Sequence, residues 1–146
     1  MKGKVLAVAV LVLFGMALFL NGRQAKASVN SVIVFDDVFS ALNLGEVDRA
    51  LVLFADDATA ENVVRAETYR GASEIRQMLE EMQRDSRRFN VVQVKVDGDT
   101  ITAQVEVSDS GLVWGTQTIE ATINGDKLQN FKVIAFRLEL WRIGRY

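Results

Sequence analysis

The period of the hydrophobic pattern changes once along this chain, near residue 88. Before that point apolar residues recur at the three-and-four spacing of a helix, and beyond it they alternate with polar residues as in a strand. The sequence contains neither an internal repeat nor a low-complexity linker. Helices followed by a meander of long strands predict one α+β domain, with three helices packed on one face of a curved antiparallel sheet.

Two helices are predicted close together at the start of the folded part. The first covers residues 31–43, with an N-cap at residue 30 or 31, and Gly45 ends it. The second begins at Glu46, places apolar residues at helical spacing as far as Phe54, and closes at residues 55–57.

A short strand and a third helix complete the first half. Residues 58–64 alternate small and polar side chains, which favours a strand that we place before a break at Gly71. The third helix is predicted over residues 72–84, where an apolar stripe includes Met78 and Leu79 and the charged remainder forms a solvated face.

Four strands are predicted after the change of hydrophobic period near residue 88, and residues typical of turns separate them. Residues 91–96 and 101–108 alternate on either side of Asp97-Gly98-Asp99, and a further strand runs from a loop at 109–111 to Ile123. Asn124-Gly125 then predicts a tight hairpin that leads into a last strand over residues 127–141.

The last strand is apolar on both faces if its alternation is regular. Ile134, Phe136, Leu138 and Leu140 occupy one face, and Phe131, Val133 and Ala135 occupy the other. A second apolar face needs a cover. Dimerisation through the outer face of the sheet and packing by the tail at residues 141–146 are the two alternatives.

The N-terminus carries the pattern of an export signal. Lys2 and Lys4 precede an uncharged apolar run over residues 5–20, and Ala25-Lys26-Ala27 has the small-x-small form of a cleavage site. We therefore expect residues 1–27 to be a signal peptide and residues 28–146 to form the domain. The alternative is an uncleaved membrane anchor at residues 5–20, and the domain lies outside the cytoplasm in both cases.

Composition excludes several classes of function. Cysteine and histidine are absent, so disulfides, thiolate metal sites and histidine-dependent triads are excluded, and we predict neither a metal nor a cofactor. Four of the 17 basic residues precede Asp36, whereas all 19 acidic residues lie from Asp36 onward. The acidic domain that remains is not expected to bind nucleic acid, whose phosphates select a basic face.

Four short motifs follow one another in a characteristic order. Residues 41–48 read ALNLGEVD, residues 53–59 read LFADDAT, residues 69–71 read YRG, and Glu74-Ile75 follow. In this order they resemble the opening of SnoaL-like and ketosteroid isomerase-like domains of the nuclear transport factor 2-like superfamily. That resemblance implies a cone-shaped, cystatin-like curved sheet around a pocket.

The resemblance also implies where catalytic residues should lie. Ketosteroid isomerases use a tyrosine donor in the first helix, a catalytic aspartate after the acidic turn and a protonated aspartate on a later strand. These positions fall here on Val38, Asn62 and Ile119, none of which can perform those roles. Epoxide hydrolases of the superfamily join two carboxylates by an arginine, and the chain offers Arg65, Glu67, Glu120 and Arg137 for that arrangement.

Individual pocket candidates each have a structural alternative. Asn62 shares its alternation with two alanines that suit a cavity wall, or it bonds to nearby backbone. Tyr69 and Trp114 are polar-tipped residues that either contact a ligand or belong to the core. Glu120 is an acid/base candidate if it points inward, and an ordinary solvated carboxylate if it points outward.

Three functions remain open at this point. The first is binding of a small apolar or amphipathic molecule in the cone, without the ketosteroid isomerase catalytic set. The second is a small-molecule isomerase, cyclase or hydrolase that uses Asn62, Tyr69 and Glu120. The third is a surface module that binds a partner through the outer face of the sheet.

Overall fold

The computed structural model describes residues 22–139, so the apolar run at residues 5–20 and the tail at 141–146 lie outside the described residues. This part contains three α-helices, a short 3₁₀ helix at Arg84–Ser86 and six strands. The helices are α1 Gly22–Asn43, α2 Val47–Leu51 and α3 Gly71–Gln83. The strands are β1 Phe54–Asn62, β2 Glu67–Arg70, β3 Arg87–Asp97, β4 Thr100–Asp109, β5 Leu112–Asn124 and β6 Lys127–Leu138. Within residues 22–139, no helix is long and apolar enough to cross a membrane.

The strands form one curved, unclosed sheet in the order β2-β1-β6-β5-β4-β3. The meander from β3 to β6 is antiparallel, as predicted. β6 also pairs with β1 in parallel, which makes the sheet mixed. A parallel pair needs a long connection, and here the connection includes β2, α3 and the strands β3 to β5. The predicted α+β class with helices on one face of the sheet is confirmed.

Helix α1 begins earlier than its predicted N-cap and ends where predicted. In the described residues it extends back to Gly22, because residues 23–30 contain no glycine or proline that would interrupt a helix. Gly45 follows its end with a φ of 79°, and the Glu46 N–H donates to the Ala41 carbonyl at 2.9 Å. A glycine in the left-handed region with such a bond is the usual C-terminal cap.

The second helix is shorter than predicted and the first strand is correspondingly longer. Helix α2 ends at Leu51, and Phe54 is already the first residue of β1. The predicted turn at Asp56 and Asp57 is wrong: both are exposed within β1, and Gln129 on β6 donates to Asp57 at 3.1 Å. Pairing with β6 decides the conformation here, because it overrides the local helical pattern.

Helix α3 matches its prediction to within one residue. Gly71 adopts a φ of +74° at the start of the helix, which explains the glycine, and the Arg70 N–H donates to the Glu74 carboxylate at 2.7 Å. The predicted stripe faces the sheet, with Ile75, Met78 and Leu79 buried.

Bulges interrupt the predicted alternation of the long strands at several places. In β3, Val92 is the extra residue, so Val91 shares the inner face with Val94 and Val96. In β6, the bulge at Ile134 places Phe136 on the inner face, opposite Gln117. The prediction that β6 is apolar on both faces is therefore wrong.

The core lies between the helices and the inner face of the sheet. Phe39 of α1 contacts Phe89 and Phe131, with ring centroids 5.7 and 6.2 Å apart. The outer face of the sheet carries mostly threonine, glutamine, glutamate and lysine side chains. A homodimer through the outer face stays a prediction.

Candidate functional site

A cavity of about 250 Å³ lies at one end of the sheet, where β1 and β6 end and β2 and β5 begin. Helix α3 covers it, and its entrance is partly open. The cavity is lined by Glu61, Asn62, Val64, Arg65, Glu67, Tyr69, Met78, Glu81, Met82, Arg87, Trp114, Gln117, Phe131, Val133 and Phe136. A concave site of mixed polar and apolar lining is the usual form of a small-molecule pocket.

The polar centre of the cavity is a trio formed by Glu67, Tyr69 and Glu81. The Tyr69 hydroxyl lies 3.1 Å from a carboxylate oxygen of Glu67 and 3.1 Å from one of Glu81. Glu67 and Tyr69 project from β2 on the same face, and Glu81 comes from the last turn of α3. A tyrosine hydroxyl carries one proton, so Tyr69 can donate to only one of the two carboxylates at a time.

The trio keeps Tyr69 protonated. Partial burial, reinforced by the hydrogen bonds to the Glu67 and Glu81 carboxylates, raises the pKa of Tyr69 to about 12. Loss of the phenolic proton would place a third negative charge beside two carboxylates. Tyr69 therefore acts here as a hydrogen-bond donor and not as a base.

The carboxylates of the cavity differ in their cationic partners. Glu61 pairs with Lys132 at 3.1 Å, and Glu67 lies 3.9 Å from Arg65. Glu81 receives hydrogen bonds from Tyr69 and from the Gln77 amide, the latter at 3.1 Å. Among the described side chains no lysine or arginine forms an ion pair with it.

An aromatic wall completes the cavity. The rings of Trp114 and Phe136 lie 5.2 Å apart between centroids, and the Arg87 guanidinium stacks over Trp114 at 5.4 Å. Phe136 reaches this position because Gly115 has no side chain: a Cβ there would lie 2.2 Å from the Phe136 ring.

Three of the residues predicted for the pocket line this cavity. Asn62 is the last residue of β1 and lines the cavity. Its side-chain oxygen also accepts a hydrogen bond from the backbone N–H of Arg65 at 3.2 Å, so Asn62 is both a cavity residue and bonded to nearby backbone. Tyr69 lies in the trio, and Trp114 lies in the aromatic wall.

The other three predicted pocket residues lie elsewhere. Val38 and Ile119 are 1% and 0% exposed and belong to the closely packed core. Glu120 is exposed on the outer face of the sheet, opposite Lys132 on β6. Of the carboxylate and arginine set considered for epoxide hydrolysis, Arg65 and Glu67 meet at the cavity, whereas Arg137 faces away with Glu120.

Sequence reasoning missed several polar residues of the cavity, among them Glu81 and Gln117. Glu81 was assigned to a solvated helical face, although it directly precedes Met82 at the edge of the apolar stripe. Gln117 lies mid-strand on the inner face between buried positions, and its side-chain oxygen is buried without a hydrogen-bond partner among the described residues. An inward polar residue in regular alternation was the signal that could have revealed it.

Comparison with known proteins identifies relatives by sequence and by fold. The model of the SnoaL-like domain family matches residues 35–141. No curated protein matches the sequence.

Several solved structures share the fold. A protein from Kribbella flavida, provisionally named a ketosteroid isomerase, aligns with a TM-score of 0.64 at 13% identity, covering 72% of this chain and 76% of its own. An LEH-like epoxide hydrolase from M. tuberculosis aligns with a TM-score of 0.62 at 13% identity, covering 79% and 86%. A protein from Sinorhizobium meliloti, provisionally named a polyketide cyclase, aligns with a TM-score of 0.60 at 21% identity, covering 68% and 92%. At these identities the likeness establishes the fold alone.

Proposed function

The chain belongs to the SnoaL-like domain family, and from that premise we propose that its cavity binds a small amphipathic molecule without using the ketosteroid isomerase catalytic set. The observation that carries this proposal is the composition of the cavity wall. Trp114 and Phe136 provide an aromatic surface, and the trio provides hydrogen-bonding oxygens in the same space. Such a wall suits a ligand with an apolar body and a polar end.

Two observations argue against steroid isomerisation in this chain. The positions that the family uses for its donors, Val38 and Ile119, lie in the packed core and offer no polar atom. Asn62 does reach the cavity, but an amide cannot accept and return a proton as a carboxylate does.

Binding is tested by calorimetric titration with 2-phenylethanol, a neutral amphipathic probe. We expect saturable binding to the unmodified protein. Val64→Trp should abolish or weaken it, because Val64 lines the cavity and is 54% exposed at its edge. Val63→Trp is the matched control, since Val63 is 45% exposed on the same turn and does not line the cavity. Equal weakening by both variants, or none by either, contradicts binding at this site.

A second candidate function is a small-molecule isomerase, cyclase or hydrolase. It is favoured by the convergence of Tyr69 with two carboxylates, since titratable groups that meet in a cavity are typical of acid and base catalysis. The set differs from the one predicted, because Glu67 and Glu81 take the place of Glu120. Turnover of styrene oxide by the unmodified protein, and its loss in Glu81→Gln, would favour this candidate; no turnover above background would count against hydrolysis of such epoxides.

We also propose that the domain is exported, on the ground of the N-terminal pattern. Cleavage after Ala27 would shorten α1 at its start and leave Ser31, the first buried residue described in that helix, untouched. Mass spectrometry of protein recovered outside the cytoplasm should find Ser28 at the N-terminus. An intact N-terminus in the membrane fraction would indicate an anchor at residues 5–20.

A further inference from the structure

We infer that the cavity selects organic cations, namely amines that carry an apolar body. The inference rests on the proposed binding function and specifies the charge of the ligand. It starts from Glu81, whose carboxylate faces the cavity with hydrogen bonds from Tyr69 and Gln77 but without a cationic partner among the described side chains. An ammonium group is the ligand group that would neutralise this carboxylate.

The hydrogen-bond acceptors of the trio and of Gln117 point the same way. Tyr69 lies within 3.1 Å of Glu67 and Glu81 but has one proton for the two carboxylates. The side-chain oxygen of Gln117, in the wall of the same cavity, has no donor within the described residues. A protonated amine supplies a donor and a positive charge to such acceptors without adding an acceptor.

The arginines of the cavity are engaged in ways that favour a cation over an anion. Arg65 lies beside Glu67, and Arg87 stacks over the Trp114 ring. An anion entering the cavity would meet the carboxylates of Glu61, Glu67 and Glu81 with both arginines already in contact with other groups. The positive charge of Arg87 also directs a ligand cation away from Trp114 and toward Glu81, which leaves the apolar body of the ligand against the aromatic wall.

Three probes of nearly equal size separate charge from shape. 2-Phenylethylamine is a cation, 2-phenylethanol is neutral and 3-phenylpropionate is an anion at neutral pH. In calorimetric titrations of the purified protein we expect the amine to bind about tenfold or more tightly than the alcohol, as a charge-assisted hydrogen bond implies. The anion should bind most weakly, and added salt should reduce the preference for the amine.

Matched variants locate the preference. Glu81→Gln keeps the shape of the side chain and should bring the amine to within about threefold of the alcohol, the ratio of the two affinities being the quantity compared. Glu80→Gln removes the same charge from the adjacent, exposed position of α3 and should retain the preference. Circular dichroism establishes that each variant is folded. Glu67→Gln provides a second variant if Glu81→Gln is not folded, and it should also lower the preference.

The outcomes distinguish this inference from the proposed function. Alcohol binding equal to amine binding, or a preference that survives Glu81→Gln, overturns cation selection while binding itself stands. Absence of binding by all three probes overturns both.

Discussion

The inner face of the sheet is used in two different ways along its length. In its packed half, defined here by Val38, Phe39, Ile119 and Ala121, apolar side chains from α1 and β5 are buried against one another. At the cavity end, the space between α3 and the sheet is left partly empty and is lined by charged and polar groups. The positions to which the resemblance assigns ketosteroid isomerase donors, Val38 and Ile119, fall in the packed half, whereas the trio lies at the other end. The fold of the family is retained, and the polar groups of the cavity lie away from the two donor positions that the resemblance implies.

The structural cause of this difference lies in β5 and β6. The bulge at Ile134 turns Phe136 onto the inner face, and Gly115 gives its ring room against the sheet. Trp114 then packs beside Phe136, which forms the aromatic wall. Stability is thus expected to depend most on the packed half, and ligand binding most on the cavity end.

The largest effect on stability is expected where helix α3 meets the packed core. Leu79→Ala should lower the free energy of unfolding by about 2 to 5 kcal/mol, because Leu79 is 1% exposed. Met82→Ala, one turn further along the same helix, should cost less than about 2 kcal/mol, because Met82 is only partly buried and borders an existing cavity. Chemical denaturation of both variants measures which substitution lowers the free energy of unfolding more. Equal losses would mean that the packed half and the cavity end are packed alike.

Overpacking at Gly115 should have the next largest effect. Gly115→Ala places a Cβ 2.2 Å from the Phe136 ring and 3.0 Å from the Arg137 carbonyl oxygen, and should cost about 1 to 3 kcal/mol. Replacing Phe136 by leucine removes the ring atoms that collide, so Gly115→Ala should cost less in a Phe136→Leu background. A double-mutant cycle in denaturant measures this coupling, and additive losses would show that Phe136 does not require the glycine.

The packed half should not accept the catalytic residues of the family. The unmodified protein should not isomerise a 3-oxo-Δ5-steroid above background, because no base or donor faces a cavity at Val38 or Ile119. Val38→Tyr combined with Asn62→Asp restores two of the residue types, but the tyrosine enters a filled core and should cost about 1 to 3 kcal/mol without producing activity. Steroid turnover by either protein, followed by absorbance, would contradict the distinction between the two ends.

The smallest effect is expected from the titration of Tyr69. Its pKa is about 12 in the folded protein and about 10 in the unfolded chain, so its contribution to stability is present below pH 10 and is lost as the pH rises toward 12. The chain has two tyrosines, so the difference between the ultraviolet titration curves of the unmodified protein and Tyr69→Phe isolates Tyr69. A midpoint near 10 for that difference would mean that the trio does not form.

Much of the fold follows from the sequence, because the change from helical spacing to alternation of apolar residues can be read from neighbouring residues alone. The strands β3 to β6 and their turns were predicted from alternation and from Asn124-Gly125, and Gly45 and Gly71 mark helix boundaries that the structure confirms. Strand β2 was missed because four residues carry no recognisable pattern. The start of β1 at Phe54 was missed because its conformation depends on parallel pairing with β6, far away in the chain.

The candidate site was predictable only in part. Asn62, Tyr69 and Trp114 could be named from alternation and residue type, since each lies in or beside a strand of the sheet. Glu81 could not, because it lies among the charged residues beside the apolar stripe and borders the cavity only once α3 is packed on the sheet. Phe136 could not be assigned to the inner face, because a bulge inserts one residue without a sequence signal and reverses the facing of the residues after it.

The most direct test of the account is a map of where 2-phenylethanol perturbs the amide spectrum of the isotope-labelled protein. Binding at the cavity end predicts shifts for the amides of Tyr69 and Gln117 and for the indole N–H of Trp114, with Trp114→Phe identifying that signal. The amides of Val38 and Ile119, in the packed half, should stay within the range of the remaining core. Shifts centred on Val38 and Ile119, with none at Tyr69 or Trp114, would contradict the claim that the site lies at the open end of the cone.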